Sequence, residues 1–263
     1  YQPDLNRFQI GEHVHGADLA DDLQRLCDLH GGETIAMVIV EPMSGSAGVL
    51  PPPMGYLRRL REICDRHGIL LVFDEVITGF GRLGHAFAAE RFGVLPDMIC
   101  FAKGVSNGVV PLGGVLIRKG IHDAFMKGPE WAIELFHGYT YSGHPLAMAA
   151  GIATQDCYEL DGLYDHAKVL EPVFARHLMA LRDRKGVTDI RCIGLAGAID
   201  LDPDPAAPTT RARAVFLRAF HEQDLVIRYT ADTLIFAPPL ISTEEEIAVL
   251  FTKVGKLLDG AEV

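Results

Sequence analysis

Apolar residues along the chain follow two patterns, helical spacing and short continuous runs. Residues 17–30 carry leucines three or four positions apart and are followed by two glycines, which is typical of an amphipathic helix and its end. Residues 54–67 repeat that pattern and end at Gly68. The runs TIAMVIV, ILLVF and MICF are short and bounded by turn residues, as buried strands are. This alternation predicts a parallel sheet covered by helices on both faces.

The pattern changes after residue 160. Helices are predicted over 165–184, 209–223 and 243–258, and they alternate with the strand-like segments VTDIRCIGLAGAIDL, LVIRYT and TLIFAPP. A Pro-rich stretch, DPDPAAPTT, is expected to be a surface loop. The fold class is therefore α/β, with a larger domain expected at 1–160 and a smaller domain of mixed strands at 161–263.

Composition narrows the classes of function. Hydrophobic residues make up 49% of the 263 residues, which is enough to build one large core or two smaller ones. The net charge of −11 argues against a nucleic-acid surface, which needs clustered basic residues. Five cysteines lack zinc-site spacing and are expected to be free thiols in a reducing cytoplasm. No apolar run approaches the ~18 residues of a membrane span, and the start YQPDLNRF does not have the pattern of a signal peptide.

Asp74 and Lys103 each lie at the end of a predicted buried strand and just before a glycine-rich loop. Ligands of open α/β sheets bind beyond the carboxyl ends of the strands, so both side chains are expected at a site. A single helical crossover separates the two strands, which are therefore expected to be near neighbours in the sheet. A primary amine beside a carboxylate suits pyridoxal phosphate (PLP), a cofactor that is held covalently by an amine and whose ring is charged by an acid.

Asp74 and Lys103 also fit an ATPase site or purely structural roles. Four apolar residues followed by Asp-Glu also form the Walker B pattern of ATPases, but no GxxxxGK[ST] phosphate loop occurs in the sequence. Asp74 as a loop cap or as the partner of Arg82 is the structural alternative, and for Lys103 it is extension from the strand end into solvent. If Lys103 is buried, burial lowers its pKa and frees the amine to attack a carbonyl.

Longer motifs carry a family resemblance. The stretch from EPMSGSAGVLPPP through DEVITGFGR to MICFAKG, continued by HGYTYSGHP, GLAGAIDL and LVIRYTADTLIFAPPL, resembles the class III aminotransferases of PLP fold type I. More narrowly, it resembles their ω-amino acid–pyruvate branch. The resemblance covers essentially the whole chain. It implies a large PLP-binding domain with a mostly parallel sheet between helices, followed by a smaller C-terminal α/β domain.

The resemblance assigns roles near the cofactor ring. Lys103 would form the Schiff base with PLP and then move the proton between the substrate Cα and the cofactor C4′. Asp74 would pair with the pyridine nitrogen and keep it protonated, which makes the ring an electron sink. Val76 would pack against the ring. Ile77 stands where many relatives carry a glutamine near the ring hydroxyl, and an apolar residue there is common in the ω-aminotransferase branch.

The resemblance also assigns roles in the second half of the chain. Thr140 would reach the cofactor phosphate of the neighbouring subunit, and Tyr139 beside it would contribute to the same cofactor site. A homodimer or tetramer with shared active sites is therefore implied. Arg228 would grip the substrate carboxylate, and an arginine between two apolar strand segments does need an acidic partner. A salt bridge between Arg228 and Asp232 is the structural alternative.

The implied activity is PLP-dependent transfer of an amino group from an ω-amino acid or amine, such as β-alanine, to pyruvate. An aminomutase or a decarboxylating transaminase of the dialkylglycine type is the enzymatic alternative. An inactive remnant that serves only as a dimerisation module is the non-enzymatic one. The family's fold normally begins well upstream of this sequence, so the phosphate-binding helix N-terminus and the aromatic residue that stacks on the ring are expected in a preceding part of the intact protein.

Overall fold

The computed structural model describes residues 2–260, which form two four-stranded sheets with helices packed around them. The first sheet has the order β1-β2-β3-β4, with strands β1 (Met37–Val40), β2 (Leu70–Asp74), β3 (Met98–Phe101) and β4 (Gly114–Ile117). β1, β2 and β3 run parallel, whereas β4 is antiparallel to β3. The prediction of a mostly parallel sheet is confirmed.

Two helical crossovers join the parallel strands. The helices of this half are α1 (Pro3–Asn6), α2 (Asp21–His30), α3 (Tyr56–His67), α4 (Ala88–Phe92), α5 (Lys119–Phe125) and α6 (Pro145–Leu160). α3 connects β1 to β2, and α4 connects β2 to β3. No helix of eight residues or more lies between β3 and β4, and the short connection lets the chain return antiparallel, because only a parallel pair needs a long crossover.

Within residues 2–260 the two faces of β1 are covered unequally. α2 and α3 pack on one face, where Val38 and Val40 contact their buried side chains. On the other face Met37 and Ile39 are 51% and 59% exposed, because successive strand residues point to opposite faces. Only β2, in the interior of the sheet, has a buried apolar run on both faces, Leu71 to Phe73.

The second sheet is antiparallel throughout, although the sequence predicts mixed strands. Its order is β5-β6-β8-β7, with strands β5 (Val187–Ile193), β6 (Ala196–Leu201), β7 (Arg228–Thr230) and β8 (Thr233–Phe236). Three helices supply its apolar core, α7 (Leu163–Met179), α8 (Arg211–Gln223) and α9 (Glu244–Asp259). The α9 N-terminus is closed by a capping box, in which the Thr243 hydroxyl accepts from the Glu246 amide and the Glu246 carboxylate accepts from the Thr243 amide.

Polar contacts join the second sheet to the first half of the chain. The Arg191 guanidinium on β5 donates through Nε to the carbonyl oxygens of Gly48 and Val49, each at 3.0 Å. The Gly11 amide donates to the carbonyl of Cys192 at 2.8 Å. The loop after β1 and the N-terminal segment are thereby held against the edge strand β5.

Two further predictions concern the whole chain. All five cysteines are free, three of them buried, Cys27, Cys64 and Cys192. Among residues 2–260, no helix is long and apolar enough to cross a membrane.

Candidate active site

The ends of β2 and β3 bring two of the predicted site residues, Asp74 and Lys103, to one edge of the sheet. Asp74 is the last residue of β2 and lies opposite Cys100 of the parallel strand β3. Lys103 follows the end of β3 by two residues, at the start of a 3₁₀ turn over Lys103–Val105. The prediction that these strand ends are neighbours is confirmed.

Lys103 has an unusual backbone and an open side chain. Its φ is +48°, in the left-handed region that costs a residue with a Cβ roughly 1–2 kcal/mol. Such conformations persist only where the surrounding structure holds them, and they concentrate at functional sites. The side chain is exposed, so burial of this lysine, which the sequence argument relied on to lower its pKa, is not found.

Asp74 keeps part of its hydrogen-bonding capacity unused. Its Oδ1 accepts from the Val76 amide at 3.1 Å, and Oδ2 accepts no hydrogen bond from the described residues. Together with burial, the Asp74 carboxylate raises the pKa of the Cys100 thiol, burial being the larger cause. Asp74 therefore presents a half-buried acceptor at the edge of the sheet.

Arg82 is not the partner of Asp74, so that form of the structural alternative is wrong, whereas its loop-cap form is found in the hydrogen bond from the Val76 amide to Asp74. Its Nη1 donates to the carbonyl oxygens of Leu195 at 2.9 Å and Pro238 at 2.7 Å, both in the second half of the chain. Burial lowers the pKa of Arg82 to about 10. Arg82 is therefore a connection between the glycine-rich loop after β2 and the second sheet.

One cavity of about 590 Å³ collects four of the predicted site residues. Lys103, Val76 and Ile77 line it from the loops after β3 and β2, and Arg228 lines it from β7. The volume lies within the range of pockets for small molecules. Gly45 closes the wall beside Ile77, since a Cβ at this glycine would lie 2.6 Å from Ile77 Cδ1.

Glu75 fixes the loop that carries Val76 and Ile77, a role that sequence reasoning missed. It is fully buried, and its Oε2 accepts from the Thr78 hydroxyl at 2.9 Å and the Ala88 amide at 2.6 Å. Its Oε1 accepts from the Ala89 amide at 2.9 Å. Burial raises the pKa of Glu75, and these hydrogen bonds oppose the rise. The two acids of the motif therefore differ: Asp74 keeps an oxygen without a hydrogen bond from the described residues, and Glu75 anchors the loop.

Arg228 is free to bind a ligand. Its side chain is exposed, and no ion pair with Asp232 exists. Asp232 instead accepts from the backbone amides of Thr209 at 2.7 Å and Arg211 at 3.0 Å. The structural alternative for Arg228, a salt bridge with Asp232, is therefore wrong.

Tyr139 and Thr140 lie away from the cavity that contains Lys103. Both are exposed, in the irregular segment before α6. Thr140 lines a separate, open cavity of about 700 Å³ with Pro111 and His144, and the Tyr139 ring stands edge-on to His137 at 5.0 Å. Within one copy of the chain the structure does not bring these two residues to the site.

The chain as a whole has its counterpart in a known family. The family model described as Aminotransferase class-III matches residues 4–258. The chain belongs to the class-III aminotransferases. The ω-aminotransferase of Caulobacter vibrioides is similar to this class-III aminotransferase, with 52% identity over 96% of this chain and 57% of that relative. The β-alanine–pyruvate aminotransferase of Pseudomonas aeruginosa is 50% identical, over 93% of this chain and 55% of that relative.

Solved structures agree with the family assignment. The (S)-enantioselective ω-transaminase from Thermomicrobium roseum superposes on this class-III aminotransferase with a TM-score of 0.85 at 34% identity, covering 92% of this chain and 55% of that one. An amine transaminase from an uncultivated Pseudomonas species, solved in its PLP-bound form, gives a TM-score of 0.84 at 37% identity, covering 92% and 56%. The fold is therefore that of the PLP-dependent transaminases. The chain spans about half the length of the curated relatives it matches.

PLP is the cofactor of this class-III aminotransferase family, and the residues present fit it. Asp74 offers a carboxylate oxygen with no hydrogen bond from the described residues, which suits the pyridine nitrogen. Lys103 offers an amine at the cavity, where Val76 and Ile77 supply apolar surface for a flat ring. When bound, PLP withdraws electrons from the carbon that carries the substrate amine.

Proposed function

We propose that the intact protein containing this chain is a transaminase that moves an amino group from an ω-amino acid or amine, such as β-alanine, to pyruvate. The observation that carries the proposal is the convergence of Lys103 and Arg228 on one cavity, with Asp74 at the end of the adjacent strand. The names of the two curated relatives supply the substrate class.

The proposal gives each residue a chemical role that its position supports. Lys103 holds the cofactor through its Nζ and moves a proton to and from the substrate carbon. Asp74 keeps a proton on the pyridine nitrogen through its unused Oδ2. Arg228 binds the substrate carboxylate, because its planar guanidinium matches two carboxylate oxygens and no ion pair with Asp232 competes for it.

The exposed segment before α6 supports a second copy of the chain as partner. Trp131, Phe136 and Tyr141 are 87%, 94% and 84% exposed, and a patch of large apolar side chains in water is typical of an interaction surface. We infer that this segment packs on a second subunit, where Tyr139 and Thr140 contribute to that subunit's cofactor site and Thr140 reaches the phosphate.

Two smaller inferences accompany the proposal. Residues 1–160 belong to the large domain and 161–263 to the small domain, in agreement with the separate sheets in each half. The free cysteines support a reducing compartment such as the cytoplasm.

The test of the proposal is the change Lys103→Ala in the intact protein, with Lys185→Ala as a matched control. Lys185 is exposed and far along the sequence from the site. Lys103→Ala should abolish the visible absorbance of covalently bound cofactor and turnover of β-alanine with pyruvate, whereas Lys185→Ala should keep both. Retained turnover in Lys103→Ala would refute the role of this lysine. Half-reactions with β-alanine and with an α,α-dialkyl amino acid separate a transaminase from a decarboxylating enzyme.

A further inference from the structure

Two side chains of α6 donate hydrogen bonds to the loop that carries Lys103, and the shorter bond comes from a phenolic hydroxyl. Tyr158 donates from its Oη to the carbonyl oxygen of Gly104, the next residue after Lys103, at 2.7 Å. One turn earlier on α6, Gln155 donates to the carbonyl of Val105 at a longer 3.4 Å. Both bonds reach the 3₁₀ turn that begins at Lys103.

The held turn is strained and closely packed. Lys103 and Phe80 both have positive φ, +48° and +56°, although neither is glycine. Phe80 belongs to the loop after β2, and a Cβ at Gly104 would lie 2.7 Å from Phe80 Cβ. The strained residues of the two strand-end loops therefore meet at Gly104. A left-handed lysine stays in place only if its surroundings favour that conformation over the ordinary ones.

The Tyr158 ring is fixed well enough to direct its hydroxyl. The side chain is 7% exposed and stacks between Phe80, at 6.2 Å between ring centroids, and Tyr164, at 5.5 Å. Burial raises the pKa of the Tyr158 phenol, so the hydroxyl keeps its proton and remains a donor at neutral pH. The ring also lines the cavity that contains Lys103.

We propose that Tyr158 is a positioning residue that holds the Lys103 backbone in its left-handed conformation and thereby sets where the amine enters the cavity. The proposal rests on the proposed function for the meaning of that amine. The hydrogen bond from Tyr158 and the left-handed backbone of Lys103 are both found within this chain.

The test compares Tyr158→Phe with Tyr164→Phe in the intact protein. Tyr158→Phe keeps the stacked ring and removes only the donor, whereas the Tyr164 hydroxyl has no hydrogen-bond partner in the part of the chain that the structure describes. In the cofactor-free protein, amide hydrogen exchange should become about tenfold faster across residues 102–107 in Tyr158→Phe, because one neutral hydrogen bond is lost. Gln155→Leu removes the longer bond and should make amide exchange across the same residues about twofold faster. Tyr164→Phe should match the wild type.

A second readout concerns the lysine itself. After PLP is added, borohydride trapping followed by mass spectrometry gives the rate at which Lys103 becomes covalently linked. That rate and kcat should fall about tenfold in Tyr158→Phe, while the KM for the amino donor stays within twofold. Unchanged exchange together with unchanged trapping would overturn the proposal. If the wild type itself traps no PLP, the proposed function fails, and the exchange rates still decide the role of Tyr158.

Discussion

Replacing Arg191 with methionine should destabilise the protein strongly, because this arginine is the centre of a buried charged cluster. The Arg191 side chain is 2% exposed and that of Asp189 4%. Nη1 pairs with Asp189 Oδ2 at 3.0 Å and Asp200 Oδ2 at 2.6 Å, and Nη2 pairs with Asp200 Oδ1 at 2.9 Å. Methionine has similar length and no charge, so the change removes the guanidinium that pairs with both carboxylates.

The expected magnitude follows from what remains after the change. Asp189 keeps the amides of Phe8 and Ile190 as donors, and Asp200 keeps the Thr233 hydroxyl at 2.7 Å. Removing one partner of a buried ion pair costs about 3–5 kcal/mol. The free energy of unfolding of natural proteins is about 5–15 kcal/mol, so this one change should remove a large part of it.

Urea unfolding followed by circular dichroism measures the effect. Arg25→Met serves as the control, since Arg25 is 73% exposed and its pairing with Asp22 should contribute less than about 1 kcal/mol. A loss below about 1 kcal/mol for Arg191→Met, with an unchanged m-value, would refute the reasoning. A double replacement of Arg191 and Asp189 by apolar residues should recover part of the loss, because both members of this buried ion pair are then removed together.

Two further predictions concern contacts between the two halves of the chain. Burial lowers the pKa of His13 to about 4, below the ordinary 6.5, and the Arg191 cation contributes to the shift. The folded state therefore resists protonation of His13. The free energy of unfolding should fall by up to about 3 kcal/mol as the pH drops from 6.5 to 4. Urea midpoints across that range should fall less steeply for His13→Phe, and an identical slope would contradict this account. Gly194→Ala should cost about 3 kcal/mol or more, because Gly194 has φ +58° and a Cβ would lie 2.5 Å from the backbone oxygen of Arg82. Gly162→Ala, with φ +61° and open space, should cost only about 1 kcal/mol, and equal thermal unfolding midpoints for the two variants would show that the close approach does not matter.

Sequence patterns predict the parts of this fold that depend on the spacing of apolar residues and on the glycines that end helices. Continuous apolar runs locate β2 and β3, and glycines mark the ends of α2 and α3. The neighbouring strand ends of Asp74 and Lys103 follow from one crossover, because a single helix returns the chain to the adjacent strand.

Several features of the site depend on tertiary contacts that no local pattern contains. Lys103 is exposed and has a left-handed backbone, and nothing in AKGVSNG specifies that conformation at the lysine rather than at the glycine. In the sequence, Tyr158 resembles an ordinary core residue of a helix, and no local pattern indicates its hydrogen bond to the Gly104 carbonyl. Arg82 binds carbonyl oxygens more than a hundred residues away in the sequence. Its nearness in sequence to Asp74 therefore predicts the wrong partner.

Gly45 and Ile77 lie so close together that a side chain at residue 45 would need the space that the Ile77 side chain occupies. Any side chain at residue 45 must displace Ile77, whose Cδ1 and Cγ2 would lie 2.6 and 2.8 Å from the new Cβ. The loop at Ile77 cannot retreat, because Glu75 ties it to the start of α4. A larger residue at 45 is therefore compatible only with a smaller one at 77, and efforts to reshape the cavity for larger ligands need to vary the two positions together.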